Sequence, residues 1–233
     1  MLVAAALCPS PPLLARELTG HDPVVPELRA ACLDAVRPLV SARPGLAVVV
    51  GEAGQAGEWD PDGRLDLSAF APALARPDAS RDASLPASLG LGSMLLDQIG
   101  FTGRRVLWSV TQDDAAADCA ALGNRLAGLH DRVALLAMAD GSARRTLKAP
   151  GYLDERSAPF DAAVERAVRT ADADALMAID PDLARELMAT GRPVWQVLAG
   201  CMNGRAAAAD IQYCGDPFGV FYLVASLACG GND

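Results

Sequence analysis

The chain of 233 residues is long enough for one large α/β domain with a substantial core. Its net charge of −9 excludes a nucleic-acid backbone as partner, because such binders need clustered positive charge. No apolar run approaches the ~20 residues of a membrane-spanning helix, and the opening MLVAAALC is too short and too poor in basic residues for a signal peptide. A cytoplasmic protein without a membrane partner is therefore expected.

LVAAALC (2–8) is a continuous apolar run, as in a strand buried on both faces. Cys8 is followed by three prolines in four residues, Pro9, Pro11 and Pro12 around Ser10, which stiffen the loop. Residues 26–40 carry a helical stripe of Leu28, Ala31, Leu33, Val36 and Leu39. LAVVVGE (46–52) reads as a strand stopped by glycines, and residues 55–86 as a loop-rich insertion holding one short hairpin. A helix over 85–99 and a strand over 105–111 follow. The segment 113–129 repeats Cys119, Leu122, Leu126 and Leu129 at helical spacing, with Asp113 or Asp114 as its cap, and RVALLAMAD (132–140) is the next buried strand. Phe160, Val164 and Val168 mark a helix with Pro159 in its first turn, Asp180-Pro181 opens another through Met188, and residues 194–202 form a short buried helix. Two strand-like runs, ADIQYC (209–214) and FGVFYLVASLA (218–228), close the chain around Gly215-Asp216-Pro217. The alternation of strand and helix predicts a single α/β domain over residues 1–233, with a mostly parallel or mixed central sheet covered by helices on both faces.

In such a sheet, ligands bind beyond the carboxyl ends of the strands. That rule nominates Cys8 and Ser10 after the first strand and Glu52 after the second. Thr111, Gln112 and Asp113 follow the third, and Asp140, Ser142 and Arg144 the fourth. Plain structural roles compete with function here: Asp140-Gly141-Ser142 reads equally as a turn. No glycine-rich nucleotide motif, serine elbow or HExxH is present, and none of the six cysteines forms a CxxC pair. His21 and His130 are the only histidines. His130 precedes the strand at 132–140, roughly 20 Å from its carboxyl end, so a site needing two histidines at one point is not expected.

The strand leading into CPSPPLL, the VVVG strand, and ALGNRLA (121–127) before VALLAMADGSARRT together resemble class III extradiol ring-cleavage dioxygenases. The likeness is to the catalytic subunit-B type, which shares its fold with Memo-like proteins. GYLDERSAPFDAAVERAV, PVWQVLAG and DPFGVFYLVA extend it over nearly the whole chain and are similar to an alanine-rich actinobacterial branch. The resemblance implies iron(II) held by two histidines and a carboxylate, with a third histidine as acid–base. At the matching positions this chain has Cys8-Pro9-Ser10-Pro11 for an H-G-x-P-like pattern and Gly51-Glu52-Ala53-Gly54 for the second histidine loop. Ala143 follows Asp140-Gly141-Ser142 where the catalytic histidine is expected, and Gln196 aligns with the carboxylate.

The favoured expectation is thus a non-catalytic binder of a small molecule or partner, using Cys8, Ser10, Glu52, Asp140, Ser142 and Gln196 around an inherited pocket, with no cofactor. Within it Cys8 is a relic, a soft ligand for another metal, or a thiol facing the ligand. The alternatives are an active iron(II) extradiol dioxygenase acting on a catechol, and an enzyme with Cys8 as nucleophile, Glu52 or Asp140 as its partner, and Arg16 or Arg144 lowering its pKa. A homodimer through the closing apolar run is a further expectation, set against an internal strand as the plainer reading.

Overall fold

The computed structural model describes residues 1–20, 24–74, 84–202 and 206–229. Apolar runs buried on both faces form its centre. β1 (Leu2–Cys8) precedes α1 (Arg16–Thr19) and α2 (Pro26–Ser41), and β2 (Leu46–Glu52) follows. Next come β3 (Gly57–Trp59), β4 (Arg64–Leu65), β5 (Ser84–Leu85) and α3 (Ala87–Gln98). β6 (Arg105–Val110), α4 (Ala116–Ala127) and β7 (Val133–Met138) complete the βαβ rhythm. A helical stretch follows, α5 (Ser157–Arg169), α6 (Ala173–Met177), α7 (Pro181–Glu186) and α8 (Arg192–Met202). β8 (Ala206–Gly215) and β9 (Tyr222–Cys229) close it.

Seven strands form one mixed sheet in the order β3-β6-β2-β7-β1-β9-β8. β6, β2, β7 and β1 run parallel, while β3, β9 and β8 each pair antiparallel. From β1 through β2 to β6 the chain travels in one direction along the sheet, and from β6 to β7 it returns. Right-handed crossovers then require the returning helix to lie on the opposite face. α2 and α3 accordingly pack on one face, and α4 with α5–α8 on the other. The result is a single α/β domain with two cores on one sheet.

Side-chain alternation divides each strand between the two cores. In β2, Leu46, Val48 and Val50 face α4 and α8, while Ala47 and Val49 face α2 and α3. β1 changes phase at an irregularity between Leu2 and Ala4, which leaves Ala4, Ala6 and Cys8 on the α2 face.

Several expected elements shift. The hairpin expected in 55–86 is not formed among the described residues. β3 instead joins the main sheet against β6, and β4 pairs with β5 in parallel. Neither Asp113 nor Asp114 caps α4: Asp114 turns back to accept bonds from the Thr111 amide and hydroxyl, at 2.9 and 3.1 Å. Asp180 does cap α7, accepting from the Asp182 and Leu183 amides. β9 pairs on both sides, with β1 and β8, so the closing apolar run is an internal strand. Among the described residues no helix is long and apolar enough to cross a membrane.

Candidate functional site

Parallel register brings three strand ends together. Cys8 is opposite Met138, and Gly51 on the other side is opposite the same Met138. Two residues further along, Ser10 comes level with Asp140, with Glu52 beside them. The ladder continues past β1 through the Ala139 amide, which donates to the Cys8 carbonyl at 2.8 Å. Pro9 and Pro11 then fix the direction in which Ser10 leaves the sheet. Its amide and hydroxyl each donate to a different oxygen of Asp140, both at 2.9 Å.

These residues line a cavity of about 610 Å³ with Ala53, Gly54, Gln55, Trp59, Pro86, Ala87, Ser88 and Thr190. Each wall has a local reason. A Cβ on Gly51 would come within 2.4 Å of the Ser88 Oγ, so the glycine lets α3 sit close enough for Ser88 to donate to the Glu52 carbonyl at 2.7 Å. Gly191 donates to the Asp140 carbonyl at 2.8 Å where a Cβ would lie 2.6 Å from that oxygen. Trp59 is anchored by its indole N–H, which donates to Ser109 Oγ at 2.7 Å, and Ser109 donates in turn to the Gln55 carbonyl at 2.6 Å. Thr190 is held through its carbonyl by the Gln112 amide group at 2.8 Å.

The electrostatics are one-sided. Burial raises the Asp140 carboxyl above its usual range, against the two bonds from Ser10 that favour the anion. Glu52 is raised by burial first and then by the charge of Asp140. Burial pushes the Tyr222 phenol up, with the charge of Asp140 second. Among the described residues lining the cavity there is no Lys, Arg or His.

The structure brings Ser10, Glu52 and Asp140, of the six expected residues, to this cavity, together with Ala53. It takes the other three elsewhere. Cys8 is fully buried on the α2 face, its Sγ 3.9 Å from the Cys32 carbonyl. Burial, then the Cys32 side chain, holds its thiol well above the ordinary range, and no arginine stands beside it. The requirements of a nucleophilic thiolate are therefore unmet. Arg144 is engaged instead with the Gly151 and Glu186 carbonyls. Ser142 is buried against Asp161, its amide donating at 3.0 Å and its hydroxyl at 2.6 Å. Gln196 lies buried within α8, accepting from Arg192 at 3.0 Å and donating to the Met177 carbonyl at 3.3 Å. Arg192 donates to the Asp114 and Gln112 carbonyls, so Gln196 is tied through it to the loop after β6 and does not reach the cavity.

Trp59, Ser88 and Thr190 line the cavity without having been nominated from the sequence. Only Ser88, in the first turn of a helix following a strand, carried a signal in its position.

The residues present do not fit the iron centre that the family resemblance implies. His130 lies at the amino end of the strands, its carbonyl accepting from the Met1 amino group at 2.6 Å and its ring beside Gly45. His21 lies outside the described residues. With His130 at the opposite rim, two imidazoles cannot meet in the cavity whatever the position of His21. No group of three His, Cys, Asp or Glu side chains suited to a metal ion occurs among the described residues.

Fold and cavity together define a single-domain, mixed-sheet α/β protein with an acidic pocket at the carboxyl edge of its parallel strands. No protein-family model matches the chain, and no curated protein matches it. Among solved structures it is similar to the crystal structure of the uncharacterized protein JW3007 from Escherichia coli K12, with a TM-score of 0.54 at 14% identity. The match covers 97% of this chain and 99% of that one, so the likeness extends over the whole fold.

Proposed function

We propose that this chain is a small-molecule-binding protein on an extradiol-dioxygenase-like scaffold, and that it does not cleave aromatic rings. The observation that carries this reading is the cavity's donor set: Ser10, Glu52 and Asp140 occupy the strand ends without an imidazole among the described lining residues. Ring cleavage needs iron(II) to hold substrate and oxygen and a base to move protons. Ala143 supplies no base, and Gln196 is committed to Arg192. Six free thiols, five of them buried, suit a reducing cytoplasm. The net charge of −9 argues against nucleic acid. A homodimer formed by strand pairing would use a sheet edge, β3 or β8, since β9 is already paired on both sides.

Protein purified without a chelating tag and loaded anaerobically with iron(II) tests the reading by bound metal per chain and by oxygen uptake with catechols. Substoichiometric iron and no catechol-dependent uptake are expected. One iron per chain with catechol-dependent uptake would restore the dioxygenase reading.

A further inference from the structure

The cavity has an unbalanced charge. Glu52 and Asp140 come from neighbouring strand ends, close enough for the charge of Asp140 to act on Glu52. Ser10 satisfies Asp140, but no hydrogen bond from a described residue reaches the half-buried Glu52 carboxylate. The one positive feature on the described walls is the amino end of α3 at Pro86–Ser88, which lacks a side-chain cap. A helix terminus is equivalent to about half an elementary charge, which does not balance two carboxylates. Partly buried carboxylates without a cation are costly, and proteins pair them. Here the described walls offer no partner.

The apolar side of the cavity narrows the choice of cation. Trp59, Ala53, Pro86 and Ala87 form carbon walls, and the indole is fixed by its bond to Ser109. A divalent ion held by two carboxylates would complete its shell with water, and it would leave those carbon walls unused. The volume of about 610 Å³ suits an organic molecule, and an aromatic side chain beside carboxylates, as Trp59 is here, is a recurrent element of organic-cation sites.

We propose that the cavity binds an organic ammonium compound, its cationic nitrogen held by Glu52 and Asp140 and its carbon frame set against Trp59, Ala53, Pro86 and Ala87. This rests on the small-molecule-binding reading and adds the chemical class of the ligand. Anionic ligands are repelled by the same two carboxylates.

Calorimetric titration with matched sets of probes tests the proposal: benzylamine, benzyl alcohol and benzoate, with butylamine, butanol and butyrate as an aliphatic series. Manganese(II) alone is the metal probe. Both amines are expected to bind more tightly than their neutral partners, and the acids not at all. Glu52→Gln preserves shape and removes no hydrogen bond, so it should fold normally and weaken amine binding on the order of tenfold. Asp140→Asn is the second variant, checked for folding by circular dichroism, and should weaken amine binding in the same direction. Equal binding of amines and alcohols, or amine binding unchanged in Glu52→Gln, overturns the charge assignment and leaves the small-molecule reading standing. Stoichiometric manganese without amine binding replaces the ligand with a metal ion. No binding of any probe at millimolar concentration overturns both readings.

Discussion

Asp161 has no exposed surface, and its two oxygens accept from the amide and hydroxyl of Ser142. Arg145 approaches to 3.7 Å and bridges on to Asp216 at 2.8 Å. Burial outweighs these bonds and pushes the carboxyl up to about 6. A carboxyl whose pKa is higher in the folded state binds protons more tightly when folded. Its contribution to stability is therefore complete below the unfolded value and is lost as pH rises through about 6. The size is on the order of 2–3 kcal/mol. Asp161→Asn keeps the shape and abolishes the titration. Denaturant midpoints of wild type and variant should thus diverge with pH between about 4 and 6, wild type losing ground as pH rises. Parallel pH curves would show that Asp161 is ionised throughout.

Residue-level reading of the sequence has a clear limit in Cys8. The strand-end rule brings Ser10, Glu52 and Asp140 to one rim because it depends only on where a strand stops. Which face a side chain takes depends on phase, and a run apolar on both faces carries no phase signal. An irregularity between Leu2 and Ala4 shifts that phase, and Cys8 goes under α2. Ser142 fails differently. Its partner Asp161 is 19 residues away on α5, and nothing local announces the pairing.

At the scale of elements, α4 and α8 meet through glycine. A Cβ on Gly123 would lie 2.2 Å from the Val197 carbonyl, and one on Gly200 would lie 2.3 Å from the Ala120 carbonyl. The obstructing atoms are backbone and cannot swing aside, so an added methyl must push the helices apart. Gly123→Ala should destabilise the protein by about 1–3 kcal/mol, despite the intrinsic gain of alanine in a helix. A raised melting temperature would show that the crossing is looser than its geometry. The long helices and the four parallel strands were legible because their apolar periods are sustained. β3, β4 and β5, two or three residues each, are too short to show a period. α4 starts at Ala116, later than the spacing from 113 suggests, because Asp114 satisfies Thr111 behind it rather than the helix ahead.

Across the whole molecule, neither core has a sheet of its own. Val48 and Val49, or Leu135 and Leu136, are adjacent residues serving opposite layers. Loss of one helical layer exposes a face of the strands that support the other. Trp195 lies within the α4–α8 layer and Trp59 packs against the α2–α3 layer. Tryptophan fluorescence and far-ultraviolet circular dichroism should therefore follow a single coincident unfolding transition. Two separated transitions would show that one helical layer melts without the other.

The ladder spacing of neighbouring strands, about 4.8 Å, sets the separation of the backbones that carry Ser10, Glu52 and Asp140. Those positions behave as sockets on a fixed rail, but two of them are wired together: Ser10 and Asp140 hold one another through two hydrogen bonds, while the Glu52 side chain is tied to none of the described residues. For protein engineering, that makes the end of β2 the mount on which new recognition chemistry can be installed first, with Ser10 and Asp140 exchanged only as a pair.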